Sequence, residues 1–141
     1  MKDEDRALTS EGKAQIKEVA RGLARILPKV DAVYSSPLLR AMQTAKRIAK
    51  VYGLDVTTSD ALRPGASTRN AGALLKKSDA RRVILVGHEP SLTENLSILA
   101  NLGESPRIEL KKGGCYGIAV RADGSAVLEW ILTPRVLRRL S

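Results

Sequence analysis

The stretch Arg82-Val83-Ile84-Leu85-Val86-Gly87-His88-Glu89-Pro90 decides the fold of this chain. Residues 83–86 are all apolar, with no alternation of polar residues, which is typical of a parallel strand buried on both faces. Pro90 predicts that a helix starts immediately afterwards, because proline fits the first turn of a helix. A buried strand that leads directly into a helix indicates an α/β fold, in which ligands bind beyond the carboxyl ends of the strands.

Helical and strand patterns alternate along the rest of the chain. Apolar residues at helical spacing follow the N-cap candidate Thr9 and stop at Pro28, and a second stripe runs from Ser36 to Gly53. This order predicts a single domain: a three-layer α/β sandwich with a mostly parallel sheet and an antiparallel edge. The other predicted elements are strands at 31–35, 54–58, 83–87, 108–112, 115–121 and 126–132, helices at 68–77 and from Pro90 to near Gly103, and a short basic segment at 135–140.

Composition narrows the class of protein. The chain has 141 residues, of which 43% are hydrophobic and 28% charged, as expected for one globular domain. It has no apolar run of about 18 residues and begins with a polar segment, so we expect neither a membrane span nor a signal peptide. Cys115 and His88 are the only cysteine and the only histidine, which excludes an internal disulfide, argues strongly against a structural zinc site and makes a cytoplasmic compartment the default expectation. The chain has no P-loop, and Gly113-Gly114 lacks the spacing of a dinucleotide loop, so we expect no cofactor.

The charge balance points to an anionic partner. The formal net charge is +9, and the excess is spread over both halves of the chain. Such a field attracts phosphorylated protein, nucleotides or nucleic acid, although a soluble surface that happens to be basic explains it equally well. Nucleic acid is the less favoured partner, because one Trp, three Tyr and no Phe leave little for base stacking.

Two predicted strand ends carry groups suited to chemistry. In Ser35-Ser36-Pro37-Leu38-Leu39-Arg40, hydroxyls precede the start of a helix that favours anions, and Arg40 is placed to clamp a phosphate. The alternative is that Ser36 is a plain helix cap and Arg40 is solvated. At the second end, His88 is suited to donate to a phosphate oxygen or to exchange a proton. The alternative is a helix-entry histidine bonded to backbone, with Glu89 as a residue of the first helical turn.

Three blocks of sequence together resemble the histidine phosphatase superfamily. They are Arg6-Ala7-Leu8-Thr9-Ser10-Glu11-Gly12, Ser35-Ser36-Pro37-Leu38-Leu39-Arg40-Ala41-Met42-Gln43-Thr44-Ala45 and Val86-Gly87-His88-Glu89-Pro90, in that order. The short chain and its closing Glu109-Leu110-Lys111-Lys112-Gly113 are similar to the SixA branch of that superfamily, the phosphohistidine phosphatases.

The resemblance implies a phosphoglycerate-mutase-like sandwich in which a histidine takes the phosphoryl group and water then hydrolyses the phosphohistidine. Arg40 matches the second phosphate-binding arginine of the family, and His88 matches its second histidine. Arg6 matches an arginine that lines the pocket in this branch, and Ser35 lies where a strand-end hydroxyl contacts phosphate. No metal is implied, because cationic side chains neutralise the charge.

The chain departs from the family at the nucleophile. The family begins with a strand ending in Arg-His-Gly, which does not occur here, and His88 already matches the second histidine. We expect the absent strand to leave a slot between the strands at 32–35 and 83–87. Three explanations are open. The start of the sequence is an artefact, such as an internal Met taken as the first residue, which is the explanation we favour. Otherwise the chain is a true truncation that binds phosphate without turnover, or another chain supplies the strand.

The function implied by the resemblance is hydrolysis of phosphohistidine on a phosphotransfer domain or a phosphocarrier protein. No clear acid catalyst is found in the segment 60–65, where larger members of the superfamily carry one, which favours an N-phosphorylated substrate. A non-catalytic module that binds phosphate or sulfate is the alternative. Nucleic-acid binding through the positive charge is a third, weaker interpretation.

Overall fold

The computed structural model describes residues 5–77, 80–99, 110–120 and 126–141. Among these residues, no helix combines the length and the apolar character that crossing a bilayer requires. The elements, in chain order, are α1 (Ser10–Ile26), β1 (Ala32–Ser35), α2 (Leu39–Tyr52), β2 (Val56–Thr58), a 3-10 turn (Asp60–Leu62), α3 (Thr68–Lys77), β3 (Val83–Val86), α4 (Ser91–Leu99), β4 (Cys115–Val120), β5 (Ala126–Leu132) and α5 (Pro134–Arg139).

Three parallel strands form the sheet that carries the site, in the order β2-β1-β3. Val33 in the central strand pairs with Val56 on one side and Ile84 on the other, and it is 1% exposed. Just beyond the last paired residues, the N–H of Ser36 donates to the carbonyl of Val86 at 2.9 Å. The carboxyl ends of β1 and β3 are therefore held side by side, which confirms the predicted parallel sheet.

Helices α1, α2 and α5 pack together around one core. Helix α1 begins after Thr9, as predicted, and the Thr9 hydroxyl oxygen accepts a hydrogen bond from the N–H of Gly12. Helix α2 lies on the sheet through the small side chains of Ala45 and Ala49, which contact Val33. The buried members of the core beneath α1 are Val19, Ala20, Leu23, Ile48 and Leu137.

The C-terminal strands form an antiparallel pair, as predicted, with Cys115 opposite Leu132. In the described ranges this pair is a separate two-stranded sheet. Its register is irregular after Gly117, where the Trp130 ring lies directly over the glycine. Cys115 and Trp130 are half-buried and pack, together with Tyr52, against the core beneath α1.

The prediction of a slot between β1 and β3 is wrong. The two strands pair directly, from Ala32 opposite Val83 to Ser35 opposite Val86. Among the described residues, the other edge of β3 carries no strand, and Val83–Val86 are only half-buried although all four are apolar. In the part of the sheet that the structure describes, unpaired ladder groups therefore lie along the outer edges of β3 and β2, and not between β1 and β3.

Several predicted boundaries also need correction. Helix α2 begins at Leu39, later than predicted, and its N-cap Leu38 makes no side-chain capping bond. Residues 110–112 lead into a turn instead of a strand, in which the N–H of Gly114 donates to the carbonyl of Lys111 at 2.8 Å. The basic segment at 135–140 is mostly helix α5, which buries Leu137 completely. The predictions at 108–109, 121–125 and Gly103 lie outside the described residues.

Helices α1 and α5 approach each other closely at Gly22. A Cβ atom built on Gly22 would lie 1.8 Å from the backbone carbonyl oxygen of Leu137. A backbone atom cannot rotate away as a side chain can, so any larger residue must push the two helices apart. Gly22 is therefore required for the docking of the C-terminal helix.

Replacing Gly22 with Ala is expected to lower the free energy of unfolding by about 1–3 kcal/mol, the usual cost of overpacking a core. Gly72→Ala on α3 is the matched control: the new Cβ meets nothing within 4 Å. Its higher helix propensity should raise the free energy of unfolding by up to about 1 kcal/mol. Urea unfolding, monitored by circular dichroism, measures the free energy of unfolding of each variant. Equal changes in the two variants would contradict the close contact of α1 with α5.

The burial of Cys115 against the core beneath α1 should make the free energy of unfolding fall as the pH becomes alkaline. Burial raises the pKa of the Cys115 thiol from 9.0 to about 11. Because the folded protein then holds the proton more tightly than the unfolded chain, stability present below pH 9 is lost as the pH rises through this window. The free energy of unfolding of Cys115→Ala, measured against the unmodified protein at several pH values, should fall less steeply between about pH 9 and 11. Parallel curves for the two proteins would refute this.

Candidate active site

The candidate site lies where β1 and β3 end next to each other. Ser36 is the first residue after β1, and His88 follows β3 with only Gly87 between them. A Cβ on Gly87 would lie 3.2 Å from the Leu92 side chain, so the glycine allows the chain to turn tightly into α4. The parallel pairing of the strands thereby places a hydroxyl and an imidazole at the same edge of the sheet, where α/β proteins bind ligands.

His88 is buried and contacts the Ser35–Arg40 segment through both ring nitrogens. It is 8% exposed. Its Nε2 atom lies 2.8 Å from the Ser36 Oγ atom, and its Nδ1 atom lies 3.4 Å from Nη2 of Arg40. A guanidinium only donates hydrogen bonds, so the nitrogen that faces it must accept. The geometry therefore assigns the proton of the neutral ring to Nε2, which donates to Ser36.

Arg40 lies in the first turn of α2, and its guanidinium reaches back over the strand ends to His88. The positive end of the helix dipole lies at the same place, because α2 starts two residues after Pro37. Arg40 is half-buried, which weakens the screening of its charge by solvent. A guanidinium, an imidazole and a helix N-terminus thus surround one small volume that suits an anion. The predicted convergence of Arg40 and His88 is observed.

The two adjacent serines have different surroundings. Both are 0% exposed. The Ser35 hydroxyl donates to the carbonyl of Ser36 at 2.8 Å, whereas the Ser36 hydroxyl oxygen lies against His88 and accepts from the N–H of Leu38. Sequence reasoning selected Ser35 and treated Ser36 as a cap, so it missed the serine that contacts the imidazole. A phosphate contact by Ser35 stays a prediction.

Arg6 lies two residues before the point where the N-terminal segment is tied to α2. The N–H of Leu8 donates to the Gln43 Oε1 atom at 2.7 Å, and Gln43 is one helical turn after Arg40. This bond brings the segment that contains Arg6 to the same end of α2. Gln43 is a positioning residue that sequence reasoning missed, and its only signal was a polar residue at helical spacing from Arg40. Whether the Arg6 side chain contacts phosphate stays a prediction.

On the α4 side of the site, the carboxylate of Glu89 is engaged in hydrogen bonds within its own segment. Glu89 lies two residues before α4 begins, and not in its first turn as predicted, but its carboxylate accepts from the N–H and the hydroxyl of Thr93 in that turn. The Tyr116 hydroxyl donates to the carbonyl of Leu92 at 2.8 Å, which ties β4 to α4. Burial, and secondarily the charge of Glu89, raises the pKa of Tyr116 to about 12, so it stays a donor at neutral pH.

Metal ligands are not grouped in this site. Within residues 5–77, 80–99, 110–120 and 126–141, no three side chains of His, Cys, Asp or Glu come close enough together to hold a metal ion. Fold and site together define an α/β protein in which an arginine and a buried histidine meet beyond the carboxyl ends of a parallel sheet.

Comparison with known proteins agrees with this class. The sequence model of the histidine phosphatase superfamily (branch 1) matches residues 1–65. An uncharacterized protein of Picosynechococcus sp. is 33% identical over 120 residues, which cover 82% of this chain and 73% of that protein. The chain belongs to the histidine phosphatase superfamily, which places it, by class, among the phosphohydrolases.

Solved structures show the same fold. A protein histidine phosphatase SixA in complex with tungstate superimposes with a TM-score of 0.85 at 22% identity, covering 96% of this chain and 89% of that one. A mycobacterial glucosyl-3-phosphoglycerate phosphatase in complex with VO3 gives a TM-score of 0.77 at 17% identity, covering 92% of this chain and 88% of that one. The predicted phosphoglycerate-mutase-like α/β architecture is confirmed.

The contacts of His88 with Arg40 and with Ser36 are together expected to set the tautomer of the imidazole. Since His88 is the only histidine, nitrogen-15 NMR reports on it without assignment. The neutral ring should carry its proton on Nε2, and the double variant Arg40→Met, Ser36→Ala should shift it toward a mixture of both tautomers, because the donor at Nδ1 and the acceptor at Nε2 are both lost. Ser97→Ala, a buried serine bonded to the carbonyl of Thr93, is the control. A neutral ring protonated on Nδ1 in the unmodified protein would contradict this geometry.

Proposed function

We propose that this protein is a phosphohistidine phosphatase that acts on a phosphorylated protein, such as a phosphotransfer domain or a phosphocarrier. The observation that carries the proposal is the contact of the half-buried Arg40 with the buried His88 at the edge of the sheet, where their nitrogen atoms lie 3.4 Å apart. Two structural neighbours hold tungstate and VO3, which are oxyanions resembling phosphate. Their presence in the same fold supports a phosphoryl pocket at this place.

Each site residue then has a role in binding the phosphoryl group. Arg40 donates to its oxygens through two N–H groups of the guanidinium, and Arg6 adds a second positive charge from the N-terminal segment. His88, with a proton on Nδ1 in the bound state, donates to one oxygen and passes that proton during transfer. Ser35 contributes a hydroxyl contact at the end of β1. Fixed cations of this kind stabilise the charge that spreads over the oxygens in the transition state.

The nucleophile is a histidine that the 141-residue sequence does not provide, since His88 is its only histidine. A nitrogen of that histidine attacks phosphorus, the P–N bond of the substrate breaks, and the leaving imidazole takes up a proton. Water then attacks the new phosphohistidine, which releases inorganic phosphate and restores the histidine. We place the strand that brings this residue at the unpaired edge of β3, because its carboxyl end would then lie next to His88.

The leaving group favours a phosphorylated nitrogen over a phosphate ester. Asp60 carries the carboxylate of segment 60–65, where larger members of the superfamily have their acid catalyst. Its side chain is exposed and pairs with Arg63 at 2.7 Å. It is therefore not poised to give a proton to a leaving alkoxide. An imidazole leaves more readily than an alkoxide, so a site without a dedicated acid suits phosphohistidine.

A second candidate function is binding of phosphate without turnover. It is favoured by one observation, that among the residues the structure describes Arg40 and His88 meet at the strand ends without a nucleophile between them, and such a pair can hold an anion whether or not it is turned over. In that case the pocket recognises a phosphorylated partner and the P–N bond stays intact.

Phosphate release from a phosphohistidine peptide tests the proposal. The 141-residue chain should bind orthophosphate and release none, and a chain extended at its N-terminus by a strand ending in Arg-His-Gly should release it. In the extended chain, Arg40→Gln should lower the rate by about 10²–10³-fold, since a donor to the transition state is lost. Arg21→Gln, an exposed cation on α1, should leave the rate unchanged. An extended chain that binds phosphate but does not release it would favour the non-catalytic module.

A further inference from the structure

A groove of about 520 Å³ runs between α1 and α2, outside the phosphoryl pocket. Its floor is aliphatic and is formed by Leu8, Ala14 and Ile16. Five cationic side chains line it, and no Asp or Glu does so among the described residues: Lys13, Lys17, Lys46, Arg47 and Lys50. Although these cations are dispersed in the sequence, helix packing gathers them along one groove.

The arrangement of these charges does not serve the stability of the fold. Lys13 and Lys17 are four residues apart on α1, as are Lys46 and Lys50 on α2, so each pair places like charges on one helix face, which is unfavourable. Within the described parts of the chain, none of the five takes part in an ion pair. A surface that keeps repelling charges around an apolar floor is suited to a ligand that brings negative charge and an apolar side chain.

The groove comes within one helical turn of the candidate active site. Gln43, which lines the groove, is one turn after Arg40 on α2 and accepts a hydrogen bond from the N–H of Leu8, another lining residue, at 2.7 Å. From Arg40 to Lys50, helix α2 rises about 15 Å. A partner bound in the groove can therefore reach the phosphoryl pocket with a neighbouring residue.

We infer that this groove docks an acidic, amphipathic polypeptide segment of the protein that carries the phosphohistidine. Carboxylates of the segment face the lysines of α1 and α2, and an aliphatic side chain between them packs on Leu8 and Ile16. A nucleic acid is the less suitable occupant, because no aromatic side chain lines the groove in the described residues. The identity of the partner rests on the proposed function, whereas the binding itself does not.

Binding of a fluorescent helical peptide tests the inference without any turnover. The peptide carries a Leu with one Glu four residues before it and another four residues after it, so that all three side chains share one helix face. The triple variant Lys17→Gln, Lys46→Gln, Lys50→Gln should weaken binding about tenfold or more, because three exposed charges around one site are lost. The control triple Lys29→Gln, Lys76→Gln, Arg135→Gln removes the same net charge from exposed positions outside the groove and should change binding less than about twofold. A peptide with Ser in place of Leu should bind more weakly.

Three results would overturn the inference. The first is an equal loss of peptide affinity in both triple variants, which would indicate a diffuse charge effect. The second is no measurable binding of the peptide to the unmodified protein. The third is a single-stranded oligonucleotide that binds more tightly than the peptide and loses affinity in the groove variant. Because the peptide carries no phosphate, its binding can succeed while phosphate release fails. The failure of the proposed function is thereby distinguished from the failure of the docking groove.

Discussion

The direct parallel pairing of β1 with β3 is the constraint on which the candidate site depends. The register places Ser35 opposite Val86, and the bond from the N–H of Ser36 to the carbonyl of Val86 continues it past the end of the ladder. As a result, the residues that follow the two strands leave the sheet at the same level and meet. A shift of one residue would turn each strand-end side chain to the opposite face and separate the imidazole from the serine hydroxyl.

The pocket is organised around a contact that favours an anion between its two partners. Arg40 approaches the unprotonated nitrogen of His88 at 3.4 Å, an arrangement that is stable only while the ring is neutral on that side. An oxyanion placed between the guanidinium and the ring would accept from the guanidinium, would accept from the ring only once Nδ1 carries a proton, and would also meet the N-terminus of α2. The burial of His88 strengthens such interactions, because little water competes for them. The proposed binding of a phosphoryl group therefore implies a proton on Nδ1 in the bound state.

Sequence patterns predicted the parallel sheet, the first helix with its Thr9 cap and the meeting of Arg40 with His88, since periodicity and capping are local properties. Strand order was predicted incorrectly, because apolar strands read alike whichever neighbours they pair with. The choice between Ser35 and Ser36 depends on how the chain turns after β1, which hydroxyl spacing does not reveal. The basic groove was missed altogether, because its lysines come from two helices that are adjacent only after packing.

The cations of this protein therefore fall into two groups with different physical consequences. Arg40 is half-buried and held against His88, so its charge is directional and weakly screened. The lysines of the groove are exposed, and salt screens each of them within about 10 Å, so they act together on an extended charge distribution. A small phosphorylated molecule spans only the first group, whereas a folded phosphoprotein can contact both. A net charge of +9 is thus compatible with selectivity, because only a partner with matching charge and an apolar residue satisfies the pocket and the groove together.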